Sequence, residues 1–259
     1  MNGNSSRTLK IISVISVLVF IVIWQLIVDL KVVPNTLLAS PTQIFQLFVY
    51  KLKFADPDGA VLGWHILTSL KEAVLGYALA LLIGIPIGLL MGWFVVAEGF
   101  IRPVFEMIRP IPPVAWIPLA IFWFGIGLSG KLFIIFVSGL VPAVINSFVG
   151  VRMTNPTFIR MARTYGATDW EIFKDICVPS ALPMVFGGLQ VALAAAWTAL
   201  VAAEMIASDT GLGFLITMGQ RLLSPSMILL GMVMIGLTGY LIGVVIDIIE
   251  RRLEAGLRR

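Results

Sequence analysis

Asn155 to Pro179 reads NPTFIRMARTYGATDWEIFKDICVP, one polar island in a very apolar chain. Asn155 can cap a helix whose first residue is Pro156. Phe158, Met161, Ala162 and Tyr165 then recur at i, i+3, i+4 and i+7, which predicts a single apolar face. Gly166 stops that helix. Thr168 opens a capping box with Glu171, so a second short helix should start at once, carry Trp170 and Phe173, and end at Val178 and Pro179. The predicted unit is helix, glycine elbow, helix. Arg160, Arg163 and Lys174 are set among Asp169, Glu171 and Asp175, so the unit must stand in water while offering aromatic rings to something. Two recipients fit this pattern: a partner protein, or the lipid headgroups.

The remainder of the chain says what surrounds the island. Of 259 residues, 59% are hydrophobic and only 12% charged, with a mean hydropathy of +1.02; soluble domains carry about 25% charge. The composition specifies an all-α integral membrane protein. Apolar runs near the roughly 20 residues needed to cross a bilayer fall at 11–28, 70–96, 114–127, 132–150, 184–206 and 227–248. A single transmembrane domain over 1–259 is expected, with about six spans and a core over about 66–250. The first span, 11–28, is read as uncleaved, since no small-x-small site follows it closely. The third is interrupted at its start by Pro110, Pro112, Pro113 and Pro118 and needs residues from about 103 onward. Between the first two spans, segment 31–65 should lie along the outer surface, with a short helix over Ile44 to Phe54 started by Ser40-Pro41, then a turn at Asp56-Pro57-Asp58-Gly59.

Orientation follows from the basic residues, which accumulate on the cytoplasmic side. With both termini inside, Arg7, Lys10, Arg102, Arg109, Arg152, Arg160, Arg163, Lys174, Arg251, Arg252, Arg258 and Arg259 are cytoplasmic, twelve of the eighteen Lys and Arg. That choice places 155–179 in the cytoplasm. It also accounts for the net charge of +4 without a nucleic-acid partner. In the second span Gly76, Ala80, Gly84, Gly88 and Gly92 recur every four residues, a stripe of small side chains that lets another helix approach closely, and Pro86 suggests a kink.

Chemistry-bearing residues are few. Gly125 to Lys131 imitates a phosphate-binding loop, but Leu132 stands where a hydroxyl is needed and the segment joins two spans instead of a strand and a helix. His65 has no second His or Cys nearby, so no metal site is expected, and Cys177 alone excludes a disulfide framework. No catalytic constellation and no cofactor are expected. Polar residues inside spans are functional candidates by default, which selects Asn146, Gln190 and Glu204, with Trp197 one to two turns before Glu204, as residues of a solute path or gate. For Asn146 and Gln190 an interhelical hydrogen bond is an equal alternative, and Glu204 could be solvated at the membrane surface.

The island's spacing resembles the cytoplasmic signature of ABC importer permeases, Glu-Ala-Ala, three residues, Gly, nine residues, Ile-x-Leu-Pro. Gly166, Ile176, Val178 and Pro179 fall on it without a gap, while Arg160-Met161-Ala162 replaces Glu-Ala-Ala and Val178 replaces Leu. Arg109-Pro-Ile-Pro-Pro-Val-Ala-Trp-Ile-Pro-Leu119, Phe124-Gly-Ile-Gly127, Trp197-Thr-Ala-Leu-Val-Ala-Ala-Glu204 and Gly211-Leu-Gly-Phe214 resemble the nitrate/sulfonate/taurine branch, nearest to taurine and aliphatic-sulfonate permeases. The resemblance covers roughly 10 to 254. It implies a type I importer-like bundle in the bacterial inner membrane, two copies of this chain, two ATP-binding cassette subunits that hydrolyse ATP, and an extracytoplasmic solute-binding protein. It further implies that 155–179 is the coupling segment, in which Arg160, Ala162, Tyr165, Gly166, Trp170, Phe173, Ile176 and Pro179 meet the ATPase, with Tyr165, Trp170 and Phe173 filling its groove. The cargo implied is a small anion of the taurine or alkanesulfonate class, with nitrate, bicarbonate, a pyrimidine precursor or an aromatic acid as alternatives. From the residues alone, an ATP-independent secondary transporter and a non-transporting scaffold remain open.

Overall fold

The computed structural model describes the backbone of residues 3–257 and the side chains of residues 12–252; Arg258 and Arg259 lie outside the described residues, as do the side chains of Arg7 and Lys10. In chain order the helices are α1 (Gly3–Asp29), α2 (Pro41–Lys51), α3 (Leu62–Trp93), α4 (Val95–Ile108), α5 (Ile117–Phe124), α6 (Leu128–Arg152), α7 (Pro156–Thr164), α8 (Asp169–Ile172), α9 (Val178–Ala207), α10 (Leu212–Arg221) and α11 (Pro225–Leu257). Among the described residues every regular element is helical. Five helices, α1, α3, α6, α9 and α11, are long and apolar enough to cross a membrane.

The third span departs from the sequence reading. α4 starts at Val95, directly after α3, and α4 and α5 meet at 88° across a 3-10 turn at Pro113–Trp116. Pro112 and Pro113 supply no N–H and fix φ, so a straight helix cannot pass. α5 is only 8 residues long, too short to cross by itself; where a span over 114–127 had been expected, the chain places a sharply bent helix pair.

The small-residue stripe on α3 decides the packing. Gly76 lies over Ile135, Gly84 over Ala143, Gly88 against the Val144 carbonyl and Ser147, and Gly92 over Val151. A Cβ added at Gly76 or at Gly92 would sit 2.6 Å from the facing Cβ of Ile135 or Val151, so only glycine lets the axes approach this closely. α3 continues through Pro86 as one helix. Along α6, Gly139 lies closest to Ala80 of α3 and next to Ala192 and Ala196 of α9, and Gly150 faces Ala181 of α9. The layer α3, α6, α9 is therefore the core, with Ile135, Ala192, Ala196 and Leu200 inaccessible to solvent.

These pairings also set direction. α3 and α6 run parallel, since early residues face early and late face late, whereas α9 runs antiparallel to both. One end of the bundle therefore holds α2, α10 and the starts of α3, α6 and α11; the other holds α7, α8 and both described ends of the chain. α1 stands at the edge, tied by Trp24 Nε1 donating to the Ala39 carbonyl at 3.1 Å and by Gln25 to Thr42, with Leu18 and Phe20 exposed to the apolar surroundings a bilayer would supply.

Candidate functional site

At the α7–α8 end the local sequence folds as its caps dictate. The Asn155 side chain accepts from the Thr157 N–H at 2.9 Å, and Pro156 opens α7. Gly166 takes φ +85, a conformation that an L side chain resists, and turns the chain between the two helices. The Thr168 hydroxyl accepts from the Glu171 N–H, while the Glu171 carboxylate accepts from the Thr168 N–H at 2.7 Å, which completes the capping box. Val178 and Pro179 do not end the second helix as the sequence reading had it. A wide turn at Phe173–Cys177, in which the Val178 N–H reaches back to the Phe173 carbonyl, leads straight into α9, and Pro179 sits in the first turn of α9, where a missing N–H costs little.

The aromatic residues divide. Tyr165 is 88% exposed and Trp170 59% exposed, but Phe173 is only 6% exposed. Phe173 packs inward among Ile172, Cys177 and Val151, with its ring 5.3 Å from that of Phe94. It is a core residue that anchors the unit to α3 and α6, and this corrects the groove-filling role. Trp170 stacks over Phe94 at 6.4 Å and keeps its outer face free. Phe158, Met161, Ala162 and Tyr165 of α7 then line an open concavity of about 420 Å³ with Asp175, Ile176, Pro179 and Ser180. Arg160 is exposed beside it. The apolar face legible in the sequence is real, and nothing among the described residues covers it.

The four path candidates do not form one site. Gln190 and Trp197 line a cavity of about 470 Å³ between α9 and α11, with Thr198 and Tyr240 as further polar or amphipathic walls. The Gln190 amide also donates to Glu250 at 2.8 Å. Asn146 lies on the far side of the core, donating to the Pro142 carbonyl within α6 and packed against Gly188. Glu204 is fully buried and is no surface carboxylate.

Glu204 instead belongs to a polar ladder at the α2–α10 end. His65, Ser69 and Glu72 occupy i, i+4 and i+7 of α3 and all face the segment joining α9 to α10. His65 Nδ1 accepts from the Gly211 N–H at 3.0 Å, and the Ser69 hydroxyl accepts from the Leu212 N–H at 2.9 Å. Glu204 accepts from the Ser69 hydroxyl at 2.5 Å and from the Gly213 N–H at 2.8 Å. The N–H groups of the N-cap residue Gly211 and of the first two residues of α10, which no helix can satisfy internally, are thus each capped by a side chain from another element. Gly211, at φ +115, presses against the Glu204 carboxylate, and a Cβ there would overlap it. Glu72 pairs with Lys131, which also donates to Ser208 at 3.0 Å. Lys131, the lysine of the false phosphate loop, is committed to this pair.

The ladder continues beyond the spans. Lys51 pairs with Asp58 and donates to the carbonyls of Ala55 and Ala60, at 3.3 and 2.6 Å, folding the 52–60 linker around one ammonium. Burial pushes the Asp58 carboxyl up, but its contacts with His65 and Lys51 outweigh that and hold it below the usual carboxylate range. Sequence reasoning missed Lys51, Asp58, Ser69, Glu72 and Lys131. The signal was present as a polar i, i+4, i+7 row on an otherwise apolar helix.

Residues 84–259 match the family described as binding-protein-dependent transport system inner membrane component. The chain is 31% identical over 245 residues to the taurine transport system permease protein TauC of Escherichia coli (strain K12), covering 93% of this chain and 88% of that one. It is 32% identical over 191 residues to the nitrate import permease protein NrtB of Leptolyngbya laminosa, covering 74% and 68%. Among solved structures it resembles the MetNI methionine ABC transporter in inward-facing conformations, with a TM-score of 0.61 and 19% identity over 73% of this chain and 94% of that chain, a likeness of fold.

Proposed function

Because the chain belongs to the binding-protein-dependent transport system inner membrane components, and is therefore a non-catalytic, multi-pass ABC importer permease subunit, we propose that it carries a small polar solute of the taurine or alkanesulfonate class into the cytoplasm. The observation that supports ATP-driven operation is the uncovered apolar concavity beside Tyr165 on an otherwise charged elbow, the shape of a docking surface for an ATP-binding subunit. Apolar residues held out in water by a rigid glycine turn and two satisfied caps cost free energy unless a partner buries them. Arg160, Ala162, Tyr165, Gly166, Trp170, Ile176 and Pro179 form this contact, while Phe173 supports it from within.

On this reading the α7–α8 end and both termini are cytoplasmic, in line with the basic residues, and the α2–α10 end faces the solute-binding protein. Two copies of the chain pair with two ATPases. Closure of the ATPases draws the elbows together and rocks the α3, α6, α9 layer as a rigid body. The 470 Å³ cavity with Gln190, Trp197 and Thr198 is the path segment contributed by each copy. Asn146 is a packing residue and Glu204 a gate-frame residue. Taurine is the first cargo to test, with nitrate and bicarbonate next, since permeases named for each are similar to this chain over nearly its whole length.

The test is ATP hydrolysis by the chain reconstituted in liposomes with its ATP-binding and solute-binding subunits, with and without taurine. Stimulation by taurine is expected. Stimulation by nitrate or bicarbonate alone would move the substrate assignment, and a chain that transports without any ATP-binding subunit would overturn the importer reading for this protein.

A further inference from the structure

His65 is inaccessible to solvent, and its two ring nitrogens face different parts of the molecule: Nδ1 in a hydrogen bond, Nε2 at close range to a carboxylate without hydrogen-bond alignment. Nδ1 accepts the Gly211 N–H, which fixes the first residue of the strap into α10, and so carries no proton. Nε2 lies 2.8 Å from Asp58 Oδ2, in the linker between α2 and α3. The ring face stacks on Phe214, 6.3 Å away and inclined by 24°, so its plane is fixed from a third side. The linker is exposed from Leu52 to Pro57; its first half is held to α2 by Tyr50, which donates to Asp56 at 2.6 Å and stacks on Phe54, and its second half by Asp58 and the carbonyls around Lys51. A displacement that carries Asp58 with it reaches the strap through one imidazole.

We propose that His65 is a positioning residue for the outer gate, a junction that transmits displacement of the 52–60 linker to the Gly211–Gly213 strap at the start of α10. The proposal rests on the importer reading only for the word outer; the junction itself is a property of the isolated fold. Its physical basis is that no other described side chain bonds both segments. Ser69 and Glu204 hold the strap but touch no part of the linker, and Lys51 holds the linker but touches no part of the strap. When the linker shifts, the imidazole must follow the Asp58 charge or stay with the Gly211 amide. Following Asp58 releases Gly211, whose φ of +115 is then no longer held by a bond to α3.

Amide hydrogen exchange of the full chain in lipid nanodiscs tests this, with peptides covering 208–214 as the readout. Asp58→Asn, which touches nothing in the strap, should raise exchange there about fivefold, the opening expected when one net hydrogen bond is weakened. His65→Asn places a side-chain oxygen where Nδ1 stood but cannot reach Asp58, so in that background Asp58→Asn should add nothing. His65→Gln keeps the reach to Asp58 and gives up Gly211, and should resemble Asp58→Asn at the strap. Unchanged exchange at 208–214 in Asp58→Asn overturns the proposal, as does a full fivefold rise that persists in His65→Asn. If Asp58→Asn cannot be purified, Asp58→Glu, which keeps the charge and lengthens the arm, takes its place with the same expected rise and the same overturning results. No cargo enters this readout, so a chain that carries something other than taurine, or nothing, leaves the outcome intact.

Discussion

The two ends of the bundle invert each other. At the α2–α10 end, charged and polar groups are inside: Lys51, Asp58, His65, Glu72, Lys131 and Glu204 are all buried, and each has a partner. At the α7–α8 end, apolar groups are outside: Phe158, Met161, Tyr165 and Trp170 are each more than half exposed. Buried charge is costly unless paired, and exposed apolar surface is costly unless covered. At the first end the charges are paired within the chain, although Asp58 Oδ2, His65 Nε2 and Glu72 Oε2 make no aligned hydrogen bond. At the second the apolar groups are uncovered among the described residues, and the docking proposal rests on that difference.

The sharpest way to break this comparison is to remove one member of a buried pair. Lys131→Met leaves Glu72 buried opposite no cation, and a cost of about 3–5 kcal/mol is expected; the double variant Lys131→Met with Glu72→Leu should recover most of it. Thermal unfolding in detergent reads both, and equal loss in single and double variants would show that the pair is not self-sufficient.

A milder perturbation is pH. Asp58 is held below its ordinary value, so its contribution is fully present above about pH 4, where the unfolded carboxyl ionises, and is lost as pH falls through the lower folded value. The unfolding temperature should therefore be insensitive to this group from neutrality down to about pH 4 and fall below it. In Asp58→Asn that acid limb should be shallower; an unaltered limb would assign it to other carboxylates.

Substitutions at the open end should cost less stability and more binding. Gly166→Val forces φ +85 on a branched side chain, for about 1–2 kcal/mol of local strain, and co-purification with the ATP-binding subunit should drop sharply because the elbow angle changes. Tyr165→Ala is the smallest in stability, within about 0.5 kcal/mol, since that ring is 88% exposed. It should still weaken subunit binding, measured by pull-down. Normal binding in both variants would place the docking surface elsewhere and remove the contrast between the ends.

Much of the α7–α8 end was legible in the sequence because its structure is local. Asn155, Gly166 and the Thr168–Glu171 box act within four residues of themselves, so spacing alone specifies their geometry. Phe173 was misplaced for the complementary reason: its ring points into Phe94 and Val151, which lie far away in sequence. The wide turn at Phe173–Cys177 rotates that ring away from the face on which helical periodicity had put it.

The other end was nearly illegible. Lys131 read as a decoy phosphate lysine, His65 as a lone histidine and Glu204 as a possible surface carboxylate, because each is bonded across a long stretch of chain, Ser69 to Glu204 and Glu72 to Lys131 among them. Composition and periodicity by themselves determined that the chain is an all-α membrane protein with about six crossings, a glycine-striped second span and a polar elbow, since hydropathy and capping are properties of neighbouring residues. Only the tertiary structure decided that the third span is broken, that Glu204 caps α10 and that buried charges find one another. Those outcomes depend on which helices face each other, and it is the close approach of α3, α6 and α9 along their small residues that brings the groups together.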